Sequence, residues 1–332
     1  NQKVFKMKKE VIALAFSDIH LNNWTKFNQN GSRTDSHFLI LDKIFREAIK
    51  QKIPVFFCGD LVHTPETINM ELYIKVSKYF DKYSNEPKLQ VFGISGNHEI
   101  PNLNTYDQRS DSFLTALDLQ YHWFHCMDWK TIQWPTFALH GIPYLDHNIG
   151  LKQALKETKV IKGKKNILLL HTDYAGARDT DGREVGSVEN FDRTLLRKFD
   201  LVLCGHIHKF QKLEKHVYMV GAPLQQRFTD EGNKMGYLKI YSDMSIEFVH
   251  IKGLPKFKTV GSVEEIKEDG NYYRVLKPKA SNDEFSSESK VIQKNYSKVK
   301  AGRRYLRIQG IKDPEKKKLL IEILKKAEEE EV

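Results

Sequence analysis

Short apolar, β-branched or aromatic runs recur at "VIALAF" (11–16), "IPVFF" (53–57), "LQVFGI" (89–94), "FALHGI" (137–142), "NILLL" (166–170) and "LVLC" (201–204). Runs of this length and makeup read as buried strands. Between the first three lie "SHFLILDKIFREAIKQ" (36–51) and "ETINMELYIKVSKYFDKY" (66–83), whose apolar residues recur at helical spacing. The order is β-α-β-α-β, which predicts parallel strands with helices on the faces of the sheet. After residue 204, "VYMVGAP", "MGYLKIYS" and "SIEFVHIKG" follow with little helix between them, as an antiparallel extension would. "HWFHCMDW" (122–129) reads as a strand packed under the sheet. Trp123, Trp129 and Trp134 are therefore taken as core rather than as platforms for bases.

Around Gly253 the pattern changes. "GLPKFKTVGSVEEIKEDG" is punctuated like a linker, and two strand-like runs, "NYYRVLKP" and "RRYLRIQG", flank a polar stretch rich in Ser and Lys. The chain divides on this reading into a large domain, 1–252, and a small α+β appendage, 253–332. It closes with "DPEKKKLLIEILKKAEEEEV", where Asp313 is an N-cap and Pro314 the first helical position. Lysines then crowd the positive end of that helix and Glu328–Glu331 its negative end, against the macrodipole. Its stability is expected to come from packing Leu320, Ile323, Leu324 and Ala327. No internal repeat stands out.

At 332 residues and 40% hydrophobic, the chain can bury a substantial core. Formal net charge is +10, and residues 253–332 carry half of it, with 19 Lys and Arg against 14 Asp and Glu. An acidic partner such as nucleic acid fits this balance, and so does ordinary lysine-rich solubility. Cys58, Cys126 and Cys204 are odd in number and lack C-x-x-C spacing, which points away from a disulfide framework or a thiolate zinc site and toward a reducing cytoplasm. Lys3, Lys6, Lys8 and Lys9 precede an apolar run that ends at Ser17 and Asp18, too short for a secretory signal and read here as a strand. No segment approaches the roughly 18 apolar residues of a membrane span.

The strand-like runs share one further property. "VIALAFSDIH" ends in Asp18 and His20, "VFFCGDLVH" in Asp60 and His63, "LQVFGISGNHEIP" in Asn97 and His98, "NILLLHTD" in His171, and "LVLCGHIH" in His206 and His208. In open α/β sheets the carboxyl ends of the strands converge on one crevice. A lone histidine or aspartate after a strand is usually a turn or cap residue. Buried together without compensation, so many imidazoles and carboxylates would cost several kcal/mol, which a cation offsets. Imidazole, carboxylate and amide ligands without thiolate favour Mn, Fe or Zn. Asp18, His20, Asp60, Asn97, His171, His206 and His208 are too many for one tetrahedral ion. They suit two ions about 3.5 to 4 Å apart that share a carboxylate, the arrangement that clamps both oxygens of an in-line phosphoryl displacement.

Asp18-x-His20, Gly59-Asp60, Gly96-Asn97-His98-Glu99, His171 and Gly205-His206-x-His208, in that order and all at strand ends, resemble the calcineurin-like metallophosphoesterase superfamily. The resemblance spans residues 18 to 208. It implies a four-layer αββα sandwich, with one metal held by Asp18, His20, Asp60 and His208. A second would be held by Asp60, Asn97, His171 and His206, with Asp60 bridging. It implies Mn first, with Fe, Zn or Mg as alternatives, and a metal-activated water as nucleophile. His98 would protonate the leaving oxygen or stabilise the transition state. Glu99 stands where Asp is commoner in the family. Gly96, Gly59 and Gly205 are read as letting the backbone turn close to the ions.

"GDLVHTPET", with His63 three residues after the bridging aspartate, and "GNHEIP" are similar to SbcD-type nucleases of double-strand-break repair, phage-encoded forms included. "VGAPLQQRFTDEGNKMGYLKI" also resembles their Gly-x-Pro turn, acidic loop and strand. The resemblance implies that His63 helps position DNA, that residues 253–332 form a capping domain beside the DNA groove, and that an SbcC-like ATPase is a partner, with a homodimer as a further assembly. Arg178 and Arg183, in the loop after His171, are either phosphate contacts or solvated. The expected function is a Mn-dependent DNA exonuclease and endonuclease. The alternatives are a small-molecule or phosphoprotein phosphatase on the same scaffold, and a noncatalytic DNA-binding subunit.

Overall fold

The computed structural model describes residues 9–23, 32–63, 69–103, 107, 110–145, 148–179, 182–185, 192–276, 291–292 and 298–329. The first half runs β1 (Val11–Phe16), α1 (Ser32–Gln51), β2 (Val55–Phe57), α2 (Met70–Asp81), β3 (Val91–Gly93), α3 (Phe113–Gln120), β4 (Phe124–Cys126), β5 (Thr131–Gln133), β6 (Phe137–Ile142) and α4 (Asn148–Glu157). There follow β7 (Lys165–His171), β8 (Ala177–Arg178), β9 (Glu184–Val185), β10 (Leu201–Gly205), β11 (Gln211–Lys212), β12 (Val217–Met219), β13 (Gly236–Tyr241) and β14 (Ile246–His250). The chain ends with β15 (Phe257–Val260), β16 (Tyr272–Val275), β17 (Val291–Ile292), α5 (Lys298–Ile308) and α6 (Pro314–Glu329).

Two six-stranded sheets carry the fold, ordered β14-β13-β1-β2-β3-β4 and β11-β12-β10-β7-β6-β5. In the first, β1 to β4 are parallel, as the β-α-β-α-β order predicts. Strand alternation explains how the sheets stack. Leu14, Phe16, Val55 and Phe57 pack under the helices with Ile40, Ile44 and Phe80, whereas Ala13, Ala15, Phe56 and Cys58 face Leu139, Leu169 and Leu203 of the second sheet. The second sheet repeats this: Leu168, Leu170, Val202 and Cys204 pack outward on Leu151 and Leu155 of α4. The result is the expected αββα sandwich, with apolar side chains on both faces of each central strand.

Several elements differ from the sequence reading. β12 runs parallel to β10, so only β13 and β14 form the antiparallel extension, on the far side of β1. β4 is the edge strand of the first sheet rather than a layer beneath it; Trp123 is fully buried, while Trp129 and Trp134 are partly buried against the cores. α2 starts at Met70, where the Asn69 side chain accepts from the amides of Glu71 and Leu72.

The linker-like segment after Gly253 conceals β15, which pairs in parallel with β16. "RRYLRIQG" is not a strand. It closes α5, because Gly302 and Leu306 bury one face at helical spacing and Gly310, at φ +68°, ends the turn. α5 docks on α1, where Lys43 donates to the Ile308 carbonyl at 3.0 Å. α6 packs on it through Leu324, whose methyl occupies the space a Gly302 side chain would need. Ile323, expected inside, is exposed together with Leu319. The side chain of Ala327 lies outside the described residues. No helix among the described residues is long and apolar enough to cross a membrane.

Candidate metal centre

The loops that leave β1 and β2 keep pairing beyond the strands. Asp18 N donates to the Gly59 carbonyl at 2.9 Å, His20 N to that of Asp60 at 3.0 Å and Leu21 N to that of Leu61 at 2.7 Å. Asp18, His20 and Asp60 are thus fixed side by side. Their backbones, with that of His206, lie in the left-handed region at φ +51°, +47°, +63° and +96°. Each such conformation costs on the order of 1–3 kcal/mol, and such strain clusters at functional sites. Gly96 and Gly205 have ordinary φ, so their role is space and not a turn. A Cβ at Gly96 would lie 2.1 Å from Asp60 Oδ1, and one at Gly205 2.1 Å from the Cys58 carbonyl. Of the three, only Gly59, at φ +94°, combines both needs.

Six of the seven predicted ligands form two groups. Asp18, His20 and His208 make one, and Asp60, His171 and His206 the other, each with its ligand atoms within 4.8 Å; His63 and His98 form a third such group with His20. His20 Nε2 lies 3.2 Å from His208 Nε2. His206 Nδ1 lies 3.2 Å from Asn97 Oδ1 and 3.3 Å from His171 Nε2. Asp60 Oδ2 stands between the groups, 3.3 Å from His171 Nε2 and 3.6 Å from His20 Nε2.

The residues fit divalent cations on three grounds. First, the far nitrogens of three imidazoles are turned to oxygen. His171 Nδ1 donates to the Cys58 carbonyl at 2.7 Å, His206 Nε2 faces Asp173 Oδ1 at 3.2 Å, and His208 Nδ1 faces Asp230 Oδ2 at 3.6 Å. The near nitrogen of each is thereby the one turned to the pocket, where a cation would take the place of a proton. Second, pairs such as His20 Nε2 and His208 Nε2 meet nitrogen to nitrogen, a contact that a shared cation relieves. Third, the pocket stabilises positive charge. Burial works against ionisation of both groups, yet Asp60 holds the His171 imidazolium up to about 9, and His171, His20 and His98 hold the Asp60 carboxyl well below its usual range. Burial, with Asp60 nearby, leaves the Asp18 carboxyl raised, and burial keeps His20 neutral.

His98 and His63 lie beside the first group, with ring centroids 4.8 and 5.2 Å from that of His20. His98 Nδ1 donates to the His63 carbonyl, so Nε2 is the nitrogen left for a substrate. Burial and the neighbouring His98 hold the His63 imidazole down to about 4, which keeps it neutral near pH 7.

Glu99 does something the sequence did not reveal. Its buried carboxylate turns away from the pocket and accepts from the amides of Asp60 and Gly96, each at 2.8 Å, and of Val62 at 3.0 Å. One side chain therefore ties the Asp60 loop to the Asn97 loop. Glu99→Ala leaves three buried donors without an acceptor, at about 1–3 kcal/mol each. Chemical denaturation is expected to show a loss of several kcal/mol; a loss under about 1 kcal/mol contradicts this role.

Residues 13–210, more than half of the chain, match the family model described as calcineurin-like phosphoesterase. The chain belongs to that family. One solved structure overlaps this calcineurin-like phosphoesterase over 73% of its length and 98% of its own, at 13% identity and a TM-score of 0.45. A Staphylococcus aureus protein assigned as a 5'-nucleotidase and solved with alpha-ketoglutarate overlaps 72% of the chain, at 14% identity and a TM-score of 0.39. The chain covers 52% of that protein, about half its length. Membership makes the chain a hydrolase of phosphoester bonds that binds divalent metals.

Sequence reading missed a layer behind the ligands of this phosphoesterase. Asp173, in the loop after β7, faces His206, and Asp230, in the acidic "FTDEG" loop, faces His208. Asp230 is fully buried, and its carboxylate also accepts from Gln226 N at 2.6 Å and Arg227 N at 3.2 Å. Tyr144, whose ring centroid lies 5.8 Å from that of His206, edges the second group. No spacing rule could have found these residues, because they approach from separate loops. Arg178 and Arg183 are exposed on the β8–β9 hairpin, where the Arg178 guanidinium reaches the Gly182 carbonyl at 3.4 Å.

Proposed function

We propose that this phosphoesterase is a Mn-dependent nuclease of SbcD type, acting on DNA as an exonuclease and endonuclease. The observation that carries the reading is a second basic feature on a chain that already holds a phosphoester-hydrolysing centre. Between the β15–β16 layer and α5 lies a cleft of about 510 Å³ lined by Lys256, Lys258, Arg303, Arg304 and Arg307. Glu268 and Asp269 also line it, so five cations face two carboxylates, and Asp269 is bonded to Lys258 at 3.0 Å. Arg303 and Arg307 sit one turn apart on one helix face, a like-charge pair that is unfavourable alone and favourable against phosphates. Residues 253–332 act in this reading as the capping domain.

Two divalent ions held by the two groups would polarise the phosphoryl oxygens and supply an acidified water as nucleophile. Asp60 holds the halves of the site together, and Asn97 contributes a neutral oxygen. His98, held through Nδ1–H on the His63 carbonyl, would act in its imidazolium form, passing the Nε2 proton to the departing oxygen and being left as neutral imidazole. His63 packs against His98 and helps place the strand. An ATPase of SbcC type would open duplex ends, and exposed Leu319 and Ile323 of α6 offer it an apolar surface.

The second reading is a small-molecule or phosphoprotein phosphatase, which the family equally allows. Incubation with Mn and an end-labelled duplex, beside a nitrophenyl phosphate monoester, separates the two. Release of nucleotides with poor monoester turnover is expected. Rapid monoester cleavage with intact DNA would replace the nuclease reading by the phosphatase.

A further inference from the structure

One buried charge takes no part in the reaction. Arg33, the second residue of α1, is 2% exposed, far less than arginine usually is. Its Nη2 donates to the Gln225 carbonyl and to Gln226 Oε1, both at 2.7 Å. Its guanidinium carbon lies over the rings of Phe257 and Tyr272, 5.7 and 5.9 Å from their centroids. Both rings belong to the β15–β16 layer. Arg33 is thus packed between that layer and the loop carrying Gln225 and Gln226.

Gln226 passes the contact on. With Oε1 engaged by Arg33, its Nε2 must point the other way, and there it donates to the carbonyls of Asp18 at 3.2 Å and Ile19 at 3.1 Å. Those carbonyls belong to the left-handed turn that aims Asp18 and His20. The same loop is anchored a second time. Gln225 Nε2 donates to the Asp230 carbonyl at 2.7 Å, Gln225 Oε1 accepts from Phe257 N at 2.8 Å, and the Asp230 carboxylate stands behind His208.

We propose that Arg33 is a positioning residue that couples the β15–β16 layer to the Asp18–His20–His208 half of the metal centre through Gln226. The proposal rests on reading those three residues as metal ligands. Arg33 itself touches neither ligand side chains nor reacting atoms. Its guanidinium orients an amide, and that amide fixes the turn. Lysine would be a poor replacement, since an ammonium is a compact, strongly hydrated charge and lacks the planar, weakly hydrated cation that lies over the two rings.

The test is Mn binding, followed by calorimetry and by electron paramagnetic resonance, on wild type, Arg33→Met, Gln226→Leu and the double variant, with melting curves beside them. Partners behind metal ligands are typically worth about 10–100-fold in affinity. Arg33→Met is expected to weaken one of two Mn sites by about that factor and leave the other unchanged. Gln226→Leu should do the same, and the double variant should be no worse than either single one, because both changes cut one chain of contacts. If Arg33→Met fails to fold, Gln226→Leu alone decides, since it removes the link without opening the core around Arg33. Unchanged Mn binding in Gln226→Leu, equal weakening of both sites, or additive losses in the double variant would overturn the coupling while leaving the metal centre intact. Wild type that binds no second Mn would overturn both.

Discussion

Asp60→Asn is expected to remove phosphodiester turnover by at least about a thousandfold, or about 4 kcal/mol of barrier. The carboxylate is 2% exposed, stands between the His20 and His171 imidazoles and holds the His171 imidazolium up against burial. Asparagine keeps its volume and the hydrogen bond from His98 N, now 3.2 Å to Asp60 Oδ1, but turns a neutral group to imidazoles that need an anion. Metal binding is expected to fall with turnover, while circular dichroism shows a native fold. Activity within tenfold of wild type would contradict the bridging role.

His98→Gln is the second large effect, and its signature lies in the substrate. General acid catalysis is worth about 10²–10⁴-fold when the leaving oxygen is a poor one. Turnover of a DNA or alkyl phosphodiester should therefore fall by about that factor, while a nitrophenyl diester, whose leaving group departs without a proton, should lose about tenfold or less. Mn stoichiometry should not change, because neither the Asp18–His20–His208 group nor the Asp60–His171–His206 group includes His98. Equal losses on both substrates would show that His98 binds rather than protonates.

The fold was legible because its strands are short, apolar and followed by polar residues at one end. That pattern follows from stacking two sheets between helices, and it placed β1, β2, β3, β6, β7 and β10. The C-terminal segment was misread at two points for one reason. "KFKTV" and "RRYLRIQG" mix charge and apolar residues over too few positions for a period of 2 to be told from one of 3.6, so tertiary packing decides. Gly302 against Leu324 selects the helix in the second case.

The site divides in the same way. Residues that follow strands can be found from the strands, which is why Asp18, His20, Asp60, Asn97, His98, His171, His206 and His208 were all named in advance. Residues that hold them cannot. Asp230, Gln226 and Arg33 act from loops and from the start of a helix that the apolar pattern placed four residues too late, at residue 36 instead of Ser32. Glu99 was noticed for its identity, and only its three amide contacts give it a task.

Anomalous scattering from crystals equilibrated with saturating Mn is the most direct test of the central claim. Two peaks are expected in the pocket, one among Asp18, His20 and His208, the other among Asn97, His171 and His206, with the Asp60 carboxylate touching both. An empty pocket under those conditions, or Asp60 turned away from it, would contradict the account.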